Sequence, residues 1–129
     1  VVAGPLDRDA VGRIAFEGLT PVLVPELVER LARSRRETLA ALDRGGPVYG
    51  VTTGQGHFAD RALAPADAAV HQRNLLLGRA VGSAPWLPRE EARALWAVRL
   101  SGFLGGRAGV SPELCAYLAA RLADDLVPA

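Results

Sequence analysis

The sequence contains no methionine and no lysine, one cysteine, two histidines, two tryptophans, two tyrosines and three phenylalanines. Each scarcity excludes something. A lone cysteine, Cys115, cannot form an intrachain disulfide, in keeping with a cytoplasmic protein. It falls in a helical pattern with Leu114, Tyr117 and Leu118 and has no basic neighbour in sequence to stabilise a thiolate. A buried, unreactive thiol is therefore expected rather than a nucleophile. His57 and His71 stand apart in different elements, which leaves no metal-ligand cluster, so no metal is expected, and no Ser-His-acid grouping. No apolar run reaches the roughly 18 residues of a membrane helix. The N-terminus lacks a basic segment followed by an apolar one, so neither a membrane partner nor a secretory leader is expected. No sign of charge is in excess either. The net charge is +1 with acids and bases mixed along the chain, which argues against a nucleic-acid partner. All fifteen basic residues are arginines, a bias of composition. A chain that opens on Val1 without any methionine is expected to be trimmed, or a piece of something longer.

What is present suits one modest domain. Half of the 129 residues are apolar and 22% are charged, a balance that supports a core and argues against disorder. A short helix is expected from Asp7 to Glu17, closed by Gly18, with Val11, Ile14 and Ala15 on one side. Thr20 to Val24 reads as a short apolar connection. Pro25 opens the strongest helix, since the first turn has no use for the N–H that proline lacks. Glu26 and Glu29 favour its positive end and Arg44 the other, and Gly45-Gly46 stops it. Its apolar stripe is Leu27, Val28, Leu31, Leu39 and Leu42, with Arg33, Arg35, Arg36 and Glu37 mostly outside. A third helix is expected from about Pro65 to Val81, ended by Gly82. A fourth runs from Pro88 to Gly105-Gly106. A fifth starts at Ser111-Pro112-Glu113, a hydroxyl cap followed by proline and an acid, and reaches Asp124 or Asp125. Val127-Pro128-Ala129 reads as the start of a connection. The fold class is all-α around one special loop.

That loop, Gly46 to Asp60, breaks the helical rhythm with a dense run of glycines. Gly50-x-x-x-Gly54-x-Gly56 has three meanings in purely physical terms. It could cradle a phosphate, but no Gly-Lys-Ser/Thr ending and no clear preceding strand support that. It could be a structural turn. Or it could be a mobile active-site loop presenting Tyr49, Thr52, Thr53, Gln55 and His57 to a ligand.

Three blocks together carry a resemblance. Tyr49-Gly50-Val51-Thr52-Thr53-Gly54-Gln55-Gly56 resembles the tyrosine-containing loop of the histidine, phenylalanine and tyrosine ammonia-lyases, except that the family usually has an aromatic residue at Gln55 and often Asn at Thr52. Gln72-Arg73-Asn74-Leu75-Leu76-Leu77-Gly78-Arg79-Ala80-Val81-Gly82 resembles the family's helix bearing the substrate-selectivity pair. Arg99 to Glu113 resembles its arginine-to-glycine segment, with Ala108 replacing the usual Ser before Gly109. The match runs from about Leu19 onward.

The resemblance to aromatic amino acid ammonia-lyases and aminomutases implies a single N-terminal helical domain, residues 1–129, of a fumarase/aspartase-like helical-bundle enzyme. It implies that Tyr49 is the base removing a proton from the substrate's β-carbon. A phenol ordinarily holds its proton at neutral pH, so such a base needs a nearby donor or positive charge. It further implies substrate-binding roles for Gly56, Asn74, Gly78 and Arg79, although Gly-Arg matches no familiar selectivity pair. Arg79 cannot lose its charge, so an anionic partner is expected for it: an acidic substrate side chain or a protein carboxylate. Arg99 is expected in a structural hydrogen-bonded pair, and Trp86 and Trp96 in packing. His57 is expected at a loop tip and His71 on a partly exposed helical face.

The family's electrophile, a 4-methylideneimidazole-5-one, forms by cyclisation of Ala-Ser-Gly. That tripeptide is absent, and the nearest look-alike is Leu100-Ser101-Gly102. By itself this chain has a plausible base and no electron sink. It is expected to be a fragment, a subunit of a split enzyme, or a non-catalytic relative serving assembly. The expected partners are an amino acid substrate and the remainder of the enzyme or a complementary chain. Glycine- and alanine-rich helices with wide apolar stripes point to an oligomer, in the family a homotetramer.

Overall fold

In the computed structural model, which describes residues 1–124, the chain forms five helices: α1 (Arg8–Phe16), α2 (Pro25–Asp43), α3 (Ala68–Arg79), α4 (Arg89–Leu104) and α5 (Pro112–Ala123). The last residues of the sequence, including the expected connection Val127-Pro128-Ala129, lie outside the described residues. Among the described residues there is no sheet, only two isolated bridges, Val2 with Leu23 and Thr53 with Ala62. The all-α reading therefore holds. Two compact units form: Val1–Leu39 with the chain from Pro85 onward, and Ala40–Ala84.

The first unit contains the core. Its buried residues are Ile14 from α1, Leu27 and Leu31 from α2, Ala97, Leu100 and Leu104 from α4, and Cys115, Ala119 and Leu122 from α5. Their spacings of three and four residues are those of one helical face. Each fully buried leucine or isoleucine stabilises the unit by about 1.5–3 kcal/mol. Local signals set the boundaries. The Asp7 carboxylate accepts from the Ala10 N–H at 2.7 Å and starts α1. Gly18, at φ +72°, ends it and lets the Leu19 N–H reach back to the Arg13 carbonyl. Ser111 accepts from the Leu114 N–H at 3.3 Å and starts α5. Hydrogen bonds to the backbone and to the Ser111 hydroxyl hold the Glu113 carboxyl below the usual carboxylate range.

Gly109, at φ +60°, turns the chain between α4 and α5 against α2. A Cβ there would lie 2.7 Å from Cγ2 of Thr38. The Arg35 guanidinium donates to its carbonyl, and the Ser34 hydroxyl donates to that of Gly106. Arg35 is therefore half-buried instead of outside, while Leu39 is exposed.

The buried cation is Arg93, 2% exposed. Its Nε donates to the Ile14 carbonyl at 3.0 Å and its Nη1 to the Leu122 carbonyl at 3.1 Å. Both acceptors lie near helix C-termini, where free carbonyls and the helix dipole favour a positive charge. Arg99, the arginine expected in a structural pair, is exposed and lies over the Phe103 ring, 5.6 Å from its centroid. Trp96 packs as expected, its indole N–H donating to the Leu118 carbonyl at 3.2 Å, whereas Trp86 is 54% exposed. Cys115 is fully buried, and burial pushes its thiol pKa up, as an unreactive thiol requires. No helix among the described residues is long and apolar enough to cross a membrane.

In the second unit the expected third helix is shorter than its pattern. A 3-10 turn, Pro65–Asp67, precedes α3, which ends at Arg79 with Ala80 at its C-cap. The two residues assigned to its last turn, Ala80 and Val81, have left the helix before Gly82 is reached. No residue of α3 is buried.

Candidate active site

The glycine-rich loop in the second unit is built from hydrogen bonds that its small residues permit. The Thr52 hydroxyl accepts from the Val48 N–H at 2.7 Å and donates to the Gly46 carbonyl at 3.0 Å, closing the turn that carries Tyr49. Gly50 follows at φ +72°, a conformation that side chains disfavour. A Cβ on Gly50 would meet Nε2 of Gln55 at 2.5 Å, so the bare backbone is what admits the Gln55 side chain. At Gly54 a Cβ would sit 2.6 Å from the Phe58 carbonyl oxygen. The Gly54 N–H donates to the Arg61 carbonyl at 3.0 Å, and the Leu63 N–H to that of Thr52 at 2.9 Å. Gly56 then starts a 3-10 turn, Gly56–Phe58.

This geometry leaves Tyr49 63% exposed. The Gly56 N–H donates to the phenol oxygen at 3.1 Å. Tyr49 and Gly56 are thus in direct contact.

Helix α3 fastens the loop at two places. Gln72 Nε2 donates to the Gly50 carbonyl at 2.7 Å. Arg79 Nη2 donates to the Gln55 side-chain oxygen at 2.7 Å, and Nη1 to its own helix at Leu75, 3.3 Å. Gln72, Leu75 and Arg79 are three and four residues apart and share a stripe of α3. The anchor Gln72 does not stand out in the sequence; its spacing of two turns from Arg79 on that stripe is the signal that could have found it. The guanidinium of Arg79 is exposed, and neutral oxygens answer it. Asn74 and Gly78 lie exposed on α3, and among the described residues no hydrogen bond joins them to the loop. His57 is exposed in the 3-10 turn, edge-on to Phe58 with centroids 5.4 Å apart. His71 is half-buried, and its Nε2 has no partner among the described residues.

An all-α fold carrying a tyrosine on a glycine-framed loop defines a recognisable class. The sequence profile described as aromatic amino acid lyase matches residues 6–129. Histidine ammonia-lyase of Streptomyces coelicolor is 36% identical over 115 residues, 89% of this chain and 22% of that protein. The crystal structure of tyrosine aminomutase from Streptomyces globisporus superposes with a TM-score of 0.88 at 30% identity, over 98% of this chain and 24% of that one. The ergothioneine-degrading ergothionase of Treponema denticola does so with a TM-score of 0.85 at 29% identity, over 96% and 25%. The chain belongs to the aromatic amino acid lyase family. It spans about a quarter of the length of the relatives it matches.

Proposed function

We propose that this chain supplies the tyrosine base of an amino acid ammonia-lyase, eliminating ammonia from histidine or a related aromatic or acidic amino acid. The hydrogen bond from the Gly56 N–H to the Tyr49 phenol oxygen carries the reading. As phenolate, Tyr49 takes the proton from the substrate's β-carbon; the electron pair left behind forms the double bond as the amino group departs from the α-carbon. Gly56, Asn74, Gly78 and Arg79 line the place of the substrate.

Departure of the amino group needs activation that these residues do not provide. The family's 4-methylideneimidazole-5-one group arises from Ala-Ser-Gly, which the sequence lacks, so no residue of this chain forms it. The electrophile comes from the remainder of the enzyme or from a complementary chain, in a cytoplasmic oligomer of the family's homotetrameric kind. Structural likeness to tyrosine aminomutase favours a second reading, in which the ammonia is returned to the neighbouring carbon.

The test is the active assembly assayed for ammonia and for the β-amino acid with a panel of histidine, tyrosine, phenylalanine and aspartate. Tyr49→Phe keeps the ring and removes the proton acceptor. It should lower kcat by about 10²–10⁴ with an unchanged melting temperature. A fully active Phe variant would refute the role. Accumulation of the β-amino acid would select the aminomutase reading.

A further inference from the structure

Gln55 of the tyrosine loop and Arg79 of α3 are joined to each other. Arg79 Nη2 donates to the Gln55 side-chain oxygen at 2.7 Å. The same carboxamide rests on the bare backbone of Gly50, where a Cβ would come within 2.5 Å of its nitrogen. Gln55 is therefore gripped from two directions, by a guanidinium on one side and by the residue after Tyr49 on the other. Its successor in the chain is Gly56, whose N–H holds the Tyr49 oxygen at 3.1 Å.

We infer that Arg79 is a positioning residue for Tyr49, acting through the Gln55 carboxamide and the Gly56 N–H. The inference rests on Tyr49 being the base. The mechanics are local. The Gly56 N–H lies in the peptide plane that follows Gln55, and on the other side of that plane the Gln55 carbonyl accepts from the Phe58 N–H at 3.1 Å. Fixing Gln55 through its side chain restricts the direction of that Gly56 N–H. Arg79 is suited to this, because its bond to the Leu75 carbonyl at 3.3 Å holds the guanidinium against its own helix while the other nitrogen faces the loop. Gln72, two turns earlier on the same stripe, fixes Gly50 by the bond to its carbonyl at 2.7 Å. The tyrosine is thus framed on both sides from a single helix. An arginine that only contacted substrate would not need Gln55.

The experiment has an arm that needs no turnover. In the full chain labelled with ¹⁵N, the Gly56 amide proton reports its bond to the phenol. Tyr49→Phe, which removes the acceptor, sets the shift and exchange rate of the free N–H. Arg79→Leu and Gln55→Leu should each move the Gly56 resonance towards that value, and the double variant no further than either alone. Arg79→Lys, which retains a charged donor, should recover part of the change. In the active assembly, Arg79→Leu and Gln55→Leu should each lower kcat about 10- to 100-fold, and the double variant should match the worse single. A Gly56 resonance unmoved by Arg79→Leu would overturn the inference. So would losses that multiply in the double variant, or a loss confined to KM. If Tyr49→Phe proves fully active, the base reading fails, while the Gly56 resonance still decides whether Arg79 holds the loop.

Discussion

Placing a methyl group on Gly109 tests whether the turn between α4 and α5 depends on glycine for two separate reasons. At φ +60° an alanine adopts the left-handed conformation at a cost of about 1–2 kcal/mol. Its Cβ would also lie 2.7 Å from Cγ2 and 3.0 Å from Oγ1 of Thr38. Thr38 cannot simply rotate away, since its hydroxyl donates to the Ser34 carbonyl at 2.9 Å. Forcing an extra methyl into such a contact costs roughly 1–3 kcal/mol. Alanine also restricts the unfolded chain, which returns about 0.4–1 kcal/mol. The net loss is about 2–4 kcal/mol, a fall in Tm of roughly 8–15 °C for a domain of this size. Thermal unfolding of Gly109→Ala followed by circular dichroism measures it. Gly102→Ala is the control. Gly102 lies inside α4 with open space where its Cβ would be, so alanine there should raise stability by about 0.5–1 kcal/mol. Adding Thr38→Ser to Gly109→Ala removes Cγ2 and should restore about 1 kcal/mol, leaving the conformational cost. A Gly109→Ala chain melting within about 2 °C of the original would show that the turn relaxes freely and that the steric reasoning is wrong.

Arg93→Leu should strand the carbonyls of Ile14 and Leu122 and destabilise the chain by about 2–5 kcal/mol in urea titration. Arg93→Lys, with one ammonium in place of a fork, should recover only part; full recovery would mean that charge alone matters. The Cys115 thiol has a folded pKa raised above the ordinary 9.0. The folded state therefore keeps a proton that the unfolded state releases, so this contribution is present below about pH 9 and is lost as pH rises through the folded value. Stability measured from pH 8 to 10.5 should decline less steeply in Cys115→Ala than in the original chain, and equal slopes would exclude the effect.

Much of the helical fold is legible in the sequence because its signals are local. Asp7, Pro25, Ser111 and Gly18 act within one turn of the backbone, and the three- and four-residue spacing of Leu27, Leu31, Leu100 and Leu104 marks a buried face wherever the partner lies. The third helix ends short of its pattern because Ala80 and Val81 continue the apolar rhythm, while nothing in that rhythm registers whether a partner is packed against it. Arg93 is hidden for a related reason. In sequence it is one arginine among several on a helix, and its role comes from two carbonyl ends contributed by distant segments. Arg99, flanked by apolar residues, has the sequence surroundings of a buried partner, yet sequence neighbours do not fix which side of a helix faces the core. In the loop, Tyr49 and Gly56 are legible through their motif. The bond between Gln55 and Arg79 is not, since it joins residues 24 positions apart through side chains alone.

Helix α3 bears the residues that fasten the tyrosine loop, yet none of its twelve residues is buried, and Val70, Leu76 and Leu77 are exposed at 59%, 73% and 59%. A helix of that length is marginal in water without packing. Any surface that covered those side chains would stabilise the helix, by the mass-action rule that binding to one state raises that state's population. Competence of the site would then become a quantity set by concentration. Loss of such a covering surface would open α3 and loosen the two bonds by which Gln72 and Arg79 fasten the tyrosine loop, while the core around Leu100 and Leu104 stayed folded.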